Sequence, residues 1–92
     1  MEIVMRKHAT KTTSPQAPDL PALRQHKGKS LREIADSTKI SIRFLQAIEQ
    51  GDFEQLPGGI YTTSYLRQYA REIGLEETQL LAYYRSLTSV AS

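Results

Sequence analysis

The sequence predicts an all-α fold: a compact domain of five short helices behind a flexible N-terminal tail. Three observations predict it. Apolar residues recur at i, i+3, i+4 from Leu20 to Leu87, and nowhere do they alternate as a half-buried strand would. Serines head two of the runs, Ser30 and Ser41, where the first amides of a helix need an acceptor. Gly falls between the runs, and Pro either between them or, as Pro21, in a first turn.

Each element follows from its residues. Residues 1–19 read as a flexible basic tail, because HATKTTSPQAPD holds Thr, Ser, Pro, Gln and Ala without apolar periodicity. Leu20 to Lys27 is the first helix, with Asp19 as cap, Pro21 in the first turn and Gly28 as terminator. Leu20, Leu23 and the stem of Lys27 share one side. Ser30 and Glu33 form a capping box for the second helix, whose stripe is Leu31, Ile34 and Ala35. Thr38-Lys39-Ile40 is the turn. Ser41 caps the third helix, where Phe44, Leu45 and Ile48 repeat the spacing before Gly51 ends it. In the linker GDFEQLPGG, Phe53 and Leu56 are expected to pin the loop to the core, and Pro57-Gly58-Gly59 to redirect the chain. A fourth helix runs through YTTSYLRQYAREI to Gly74, with Leu66, Ala70 and Ile73 inward. The fifth opens at Glu76 or Glu77, with Leu80, Leu81, Tyr84 and Leu87 expected inside. The domain therefore spans residues 20–88, and residues 89–92 are expected to fray.

Composition narrows the function. At 92 residues the chain holds one domain, and 39% hydrophobic residues are enough for a modest core. The absence of cysteine removes disulfides, thiolate catalysis and Cys-based zinc sites together. His8 and His26 belong to no ligand cluster, Pro57-Gly58-Gly59 is not followed by the Lys of a phosphate loop, and Glu76-Glu77 suits a helix N-terminus. The expectation is a non-enzymatic protein without cofactor, metal or small-molecule substrate. No apolar run approaches the roughly 18 residues that cross a bilayer. This chain is thus expected in the cytoplasm without membrane contact of its own, and membrane-associated only if a parent protein continues into a transmembrane helix. The net charge of +2 is unevenly spread, +5 up to Arg43 and −3 from Phe44 onward. The basic half could meet phosphate or an acidic protein surface, or be a solvated face.

The stretch SLREIADSTKISIRFLQAIEQG, Ser30 to Gly51, is a helix-turn-helix by its caps, spacing and break. It resembles the lambda-repressor-like superfamily, whose second helix reads base edges in the major groove. That resemblance nominates Lys29, Arg32, Lys39, Ser41, Ile42 and Arg43 as DNA-binding residues. Of these only Arg43 offers a bidentate contact to guanine. The superfamily often has Gln where Leu31 stands, and Gly in the turn where Lys39 stands. Ala47 is expected as the next outward position, one turn on, and like Ile42 it offers no side-chain hydrogen bond. DNA binding through the basic residues is then weak or non-specific.

The second signal is Tyr61, Tyr65 and Tyr69, at i, i+4, i+8 on the fourth helix. Aromatics at helical spacing are usually core, yet Leu66, Ala70 and Ile73 already supply an inner face. Tyr61 and Tyr65 are expected at its edge, an arrangement common on protein-contact surfaces.

Residues 20–87, most specifically AIEQGDFEQLP and YTTSYLRQYAREIGL, resemble the N-terminal helix-turn-helix domains of the RodZ type, found in bacterial cell-shape proteins. The resemblance implies a compact five-helix domain that binds the actin-like filament protein MreB through its fourth helix. Tyr61 and Tyr65 match the family's binding aromatics, and Arg67 lies beside them in sequence. Lys29 stands where relatives usually have an apolar residue, and Ser64 where they have Gly. Family members continue into a basic linker, a membrane-spanning helix and an outer domain, so this chain is expected to be either an excised domain or a small free-standing relative. Two functions follow: a protein-docking module, or a DNA-binding regulator.

Overall fold

A computed structural model describes residues 17–88. Five α-helices and one 3-10 turn follow in order: α1 Leu20–His26, α2 Leu31–Thr38, α3 Ile42–Gln50, the 3-10 turn Phe53–Gln55, α4 Gly59–Ile73 and α5 Glu77–Thr88. No strand occurs among the described residues. The basic tail up to residue 16 and the expected fraying of residues 89–92 lie outside the described residues.

The caps form as the residues dictate. Asp19 accepts from the Ala22 amide at 3.2 Å. Ser30 Oγ accepts from the Glu33 amide at 3.0 Å while Glu33 accepts from the Ser30 amide at 2.8 Å, a complete capping box. Ser41 accepts from Phe44. The tight turn after α2 is made without glycine: Lys39 takes the left-handed conformation at φ 66, and the Thr38 hydroxyl accepts from the Ile40 amide across it.

The helices bury one continuous core of Leu20, Ile34, Ile40, Leu45, Ile48, Phe53, Leu56, Leu66, Tyr69, Ala70, Ile73, Leu80 and Leu81. Each large aliphatic among them contributes about 1.5–3 kcal/mol of burial. Helix α4 is the spine: α1, α2 and α5 all pack on it, while α3 rests on α2 and the 3-10 turn. Phe53 pins the linker as expected, meeting the rings of Tyr83 and Tyr84 edge-on at 5.8 and 5.2 Å. Pro57-Gly58-Gly59 turns the chain into α4 through two positive φ values. There the buried Thr62 hydroxyl accepts from the Gly58 amide at 2.9 Å.

Two expectations are corrected. Leu87 is not an inner residue; it is 47% exposed. Helix α5 meets the core through Leu80 and Leu81 one turn in, and the rings of Tyr83 and Tyr84 fill the space against Phe53. Ala47 is not outward; it is buried. Leu45 and Ile48 set the rotation of α3, and the chain leaving α3 folds back so that the Asp52 amide donates to the Ala47 carbonyl at 2.9 Å.

Candidate docking face and the helix-turn-helix surface

The nominated residues fall on separate surfaces. On α4, Ile60 and Tyr61 are 76% and 63% exposed, in a first turn that carries no side chain on Gly59 to shield them. Tyr65 is half-buried because its ring lies against Phe44 of α3, 5.8 Å between centroids at a 33° tilt. At about 100° per residue Tyr61 and Tyr65 are about 40° apart on the helix, so they form one strip. Arg67 is exposed but stands about 120° round from Tyr61, aligned with Ile60. The face thus has two arms, Tyr61–Tyr65 and Ile60–Arg67, meeting at the start of the helix. Ile60 carried no periodicity signal, since it sits ahead of the apolar stripe; its exposure is what reveals it.

Tyr69, the third tyrosine of the series, is fully buried. Its hydroxyl donates to Glu49 of α3, and Arg24 of α1 grips the same carboxylate through Nε at 2.7 Å and Nη2 at 3.3 Å. Arg24 Nη1 also donates to the Lys29 carbonyl at 3.1 Å. Burial first, then the Glu49 hydrogen bond and charge, push the Tyr69 phenol well above its ordinary range. The hydrogen bond with Glu49 raises Arg24 further, against the opposing effect of burial.

On the helix-turn-helix, Arg32, Lys39 and Arg43 are exposed and enter no ion pair among the described residues. Ser41 is occupied as a helix cap, and Ile42 is half-buried. Leu31 packs on the core. Lys29 is committed elsewhere: its Nζ donates to Glu72 of α4 at 3.0 Å, and the Ser37 hydroxyl donates to the other oxygen of that carboxylate at 3.0 Å. Burial alone would raise Glu72, but the hydrogen bonds from Lys29 and Ser37 and the Lys29 charge hold it below the usual carboxylate range. Part of the basic first half is therefore neutralised by the acidic second half inside the fold.

With Ala47 inside, the outward sector of α3 consists of Arg43, Gln46 and Gln50, all exposed and within about 60° of one another. These are side chains that hydrogen-bond base edges, Arg to guanine and Gln to adenine. The sequence does not single out Gln46, because Ala47 is the outward position expected there; the rotation of α3 is what reveals it. Among the described residues no group of three His, Asp or Glu side chains is close enough to hold a metal ion, and no helix is long and apolar enough to cross a membrane.

Five helices around an α2-turn-α3 unit define a helix-turn-helix domain, and the chain belongs to the family described as "Helix-turn-helix domain", which matches residues 19–80. Within it the chain is of the RodZ type. It is 40% identical over 63 residues to cytoskeleton protein RodZ of Streptococcus pneumoniae (strain ATCC BAA-255 / R6), covering 68% of this chain and 23% of that protein. It is 36% identical over 56 residues to the uncharacterized membrane protein YmfM of Bacillus subtilis (strain 168), covering 61% of this chain and 19% of that protein. The matched segments thus span about a fifth of the length of these curated relatives. No solved structure matches the chain.

Proposed function

We propose that this domain is a non-enzymatic binding module that docks on a filament-forming cytoskeletal protein of the actin-like MreB kind, through the start of α4. The observation that carries the reading is the pairing of exposed Ile60 and Tyr61 with a Tyr65 ring braced on Phe44. Large apolar side chains held out in solvent on a rigid helix are what protein interfaces use as anchors. The name of the pneumococcal relative, a cytoskeleton protein, supports a partner of this class. Arg67 extends the surface toward acidic groups on the filament. In this reading the domain works on the cytoplasmic side of the membrane.

Co-pelleting with an MreB filament tests it. Tyr61→Ala and Tyr65→Ala abolish sedimentation with the filament while the circular dichroism stays helical. Wild type that stays in the supernatant sinks the reading.

A second reading is favoured by one observation, the Arg43-Gln46-Gln50 sector on α3. It makes the domain a DNA-binding protein with Arg32 and Lys39 on phosphates. Arg43→Ala then costs at least about 1 kcal/mol and relaxes specificity at one base. Equal weak affinity for every duplex tested rejects it.

A further inference from the structure

The exposed apolar residues of the domain gather at one end. Helices α4 and α5 are consecutive and packed together, so the start of α4 lies beside the end of α5. Between them and the 3-10 turn runs a solvent-open cleft of about 290 Å³, whose lining includes Phe53, Leu56, Tyr84, Leu87 and Glu54. At its edge stands the exposed side chain of Leu87. Glu54 is exposed and enters no ion pair among the described residues. A cleft with apolar walls and one unneutralised carboxylate fits a short peptide with aliphatic side chains next to a basic one.

One segment of this chain has that composition. The sequence opens Met1-Glu2-Ile3-Val4-Met5-Arg6-Lys7, an aliphatic cluster followed directly by two basic residues, ahead of a stretch of Thr, Ser, Pro, Gln and Ala with His8 and Lys11. Its reach is sufficient. Arg24 shares Glu49 with Tyr69, and the Lys27 stem lies over the Gly74 position, so α1 runs in the same direction as α4. The start of α1 therefore faces the end of the domain that holds the cleft. The residues between Met5 and residue 17 can extend up to about 40 Å, more than the diameter of a small domain.

We propose that the cleft is a peptide-binding site whose occupant is the chain's own Met1–Lys7 segment, with Ile3 and Val4 against Phe53, Leu56 and Leu87, and Arg6 or Lys7 paired with Glu54. Occupied in this way, the cleft places the tail against Gly58 and Thr62 at the start of α4, where it competes with any protein bound there.

The test uses the full 92-residue chain and no docking partner, so its outcome is independent of the cytoskeletal reading. Amide NMR spectra of wild type are compared with Ile3→Asp/Val4→Asp. The signals of Gly51, Gly58, Leu87 and Thr88 are expected to shift; if they coincide in the two spectra the proposal is wrong. A synthetic peptide of residues 1–9 is then titrated into the Ile3→Asp/Val4→Asp chain. It is expected to saturate and to return those signals to their wild-type positions, with affinity reduced at least about tenfold by Leu87→Asp and reduced by Glu54→Lys. Peptide-induced shifts on another surface, or no saturation, overturn the proposal. Shifts that grow with the concentration of the wild-type chain assign the cleft to a second copy and overturn the intrachain occupant.

Discussion

Tyr69 on α4 donates a hydrogen bond from its hydroxyl to Glu49 on α3, and neither residue has another element's side chain within its polar contacts except Arg24 of α1. Three helices are tied at one carboxylate. The side chains of Arg24 and Glu49 are only 15% and 10% exposed. Removing Glu49 with Ala therefore strands a nearly buried guanidinium and costs about 3 kcal/mol or more. Tyr69→Phe removes one hydrogen bond to a charged group and costs about 1.5–3 kcal/mol. Urea unfolding distinguishes them, and Glu49→Ala should be the weaker protein.

The same bond sets an alkaline limit. The phenol of Tyr69 is raised above its ordinary value of 10.0, by burial first and by Glu49 second. A raised folded value means that the stabilisation is complete below pH 10.0 and is lost as pH rises beyond it, because only the unfolded chain readily releases the proton. Of the 5 tyrosines, one should ionise only on unfolding when phenolate absorbance is followed. In Tyr69→Phe the stability curve should be flatter above pH 10.

Glu72 sets the acid side. Its folded value is depressed below 4.5, so its contribution is present above that pH and disappears as pH falls through the folded value. Glu72→Gln should lose some stability at neutral pH and change less than wild type on acidification. Lys29→Met should behave similarly, with a cost under about 1 kcal/mol since the ammonium is partly solvated. A steeper acid dependence in Glu72→Gln than in wild type would contradict this account.

Gly74 is held to glycine by its backbone: its φ is +75, whereas the Cε of Lys27, 2.6 Å from where a Cβ would lie, ends a flexible exposed side chain that can swing aside. Gly74→Ala should cost more than about 1 kcal/mol. Adding Lys27→Ala should recover little of that cost, because the strain lies in the backbone; thermal melts of the single and double mutants check it.

Lys39 is the reverse case, a side chain held at φ 66 where glycine would be unstrained. Lys39→Gly should raise Tm, by a net gain of up to about 1 kcal/mol after the entropy of the unfolded chain is counted. An unchanged or lower Tm would show that the Thr38 hydroxyl bond to Ile40 already compensates the strain.

The local features of the fold were legible in the chain. Caps, turns and helix spans depend on contacts within about four residues, so Ser30, Ser41, Gly51 and Gly74 announced their roles without knowledge of any partner. The rotation of each helix was not legible in the same way. An alanine is compatible with either side of a helix, and only the packing of Leu45 and Ile48, with the chain folding back from Ala47 to Asp52, put Ala47 inside and Gln46 outside. That one rotation changes the helix-turn-helix surface from a poor reader of bases into Arg43-Gln46-Gln50. The tyrosines show the same limit. Their spacing put Tyr61, Tyr65 and Tyr69 on adjacent turns, but the contacts that buried one, braced the second and freed the third come from residues 20 or more positions away: Glu49, Phe44 and none. Lys29 and Glu72, 43 residues apart, likewise needed the fold to meet. Pairing energy of this kind exists only once the helices have packed, so helix identity was written in local chemistry while the exposed faces, and with them the candidate sites, were decided by tertiary contacts.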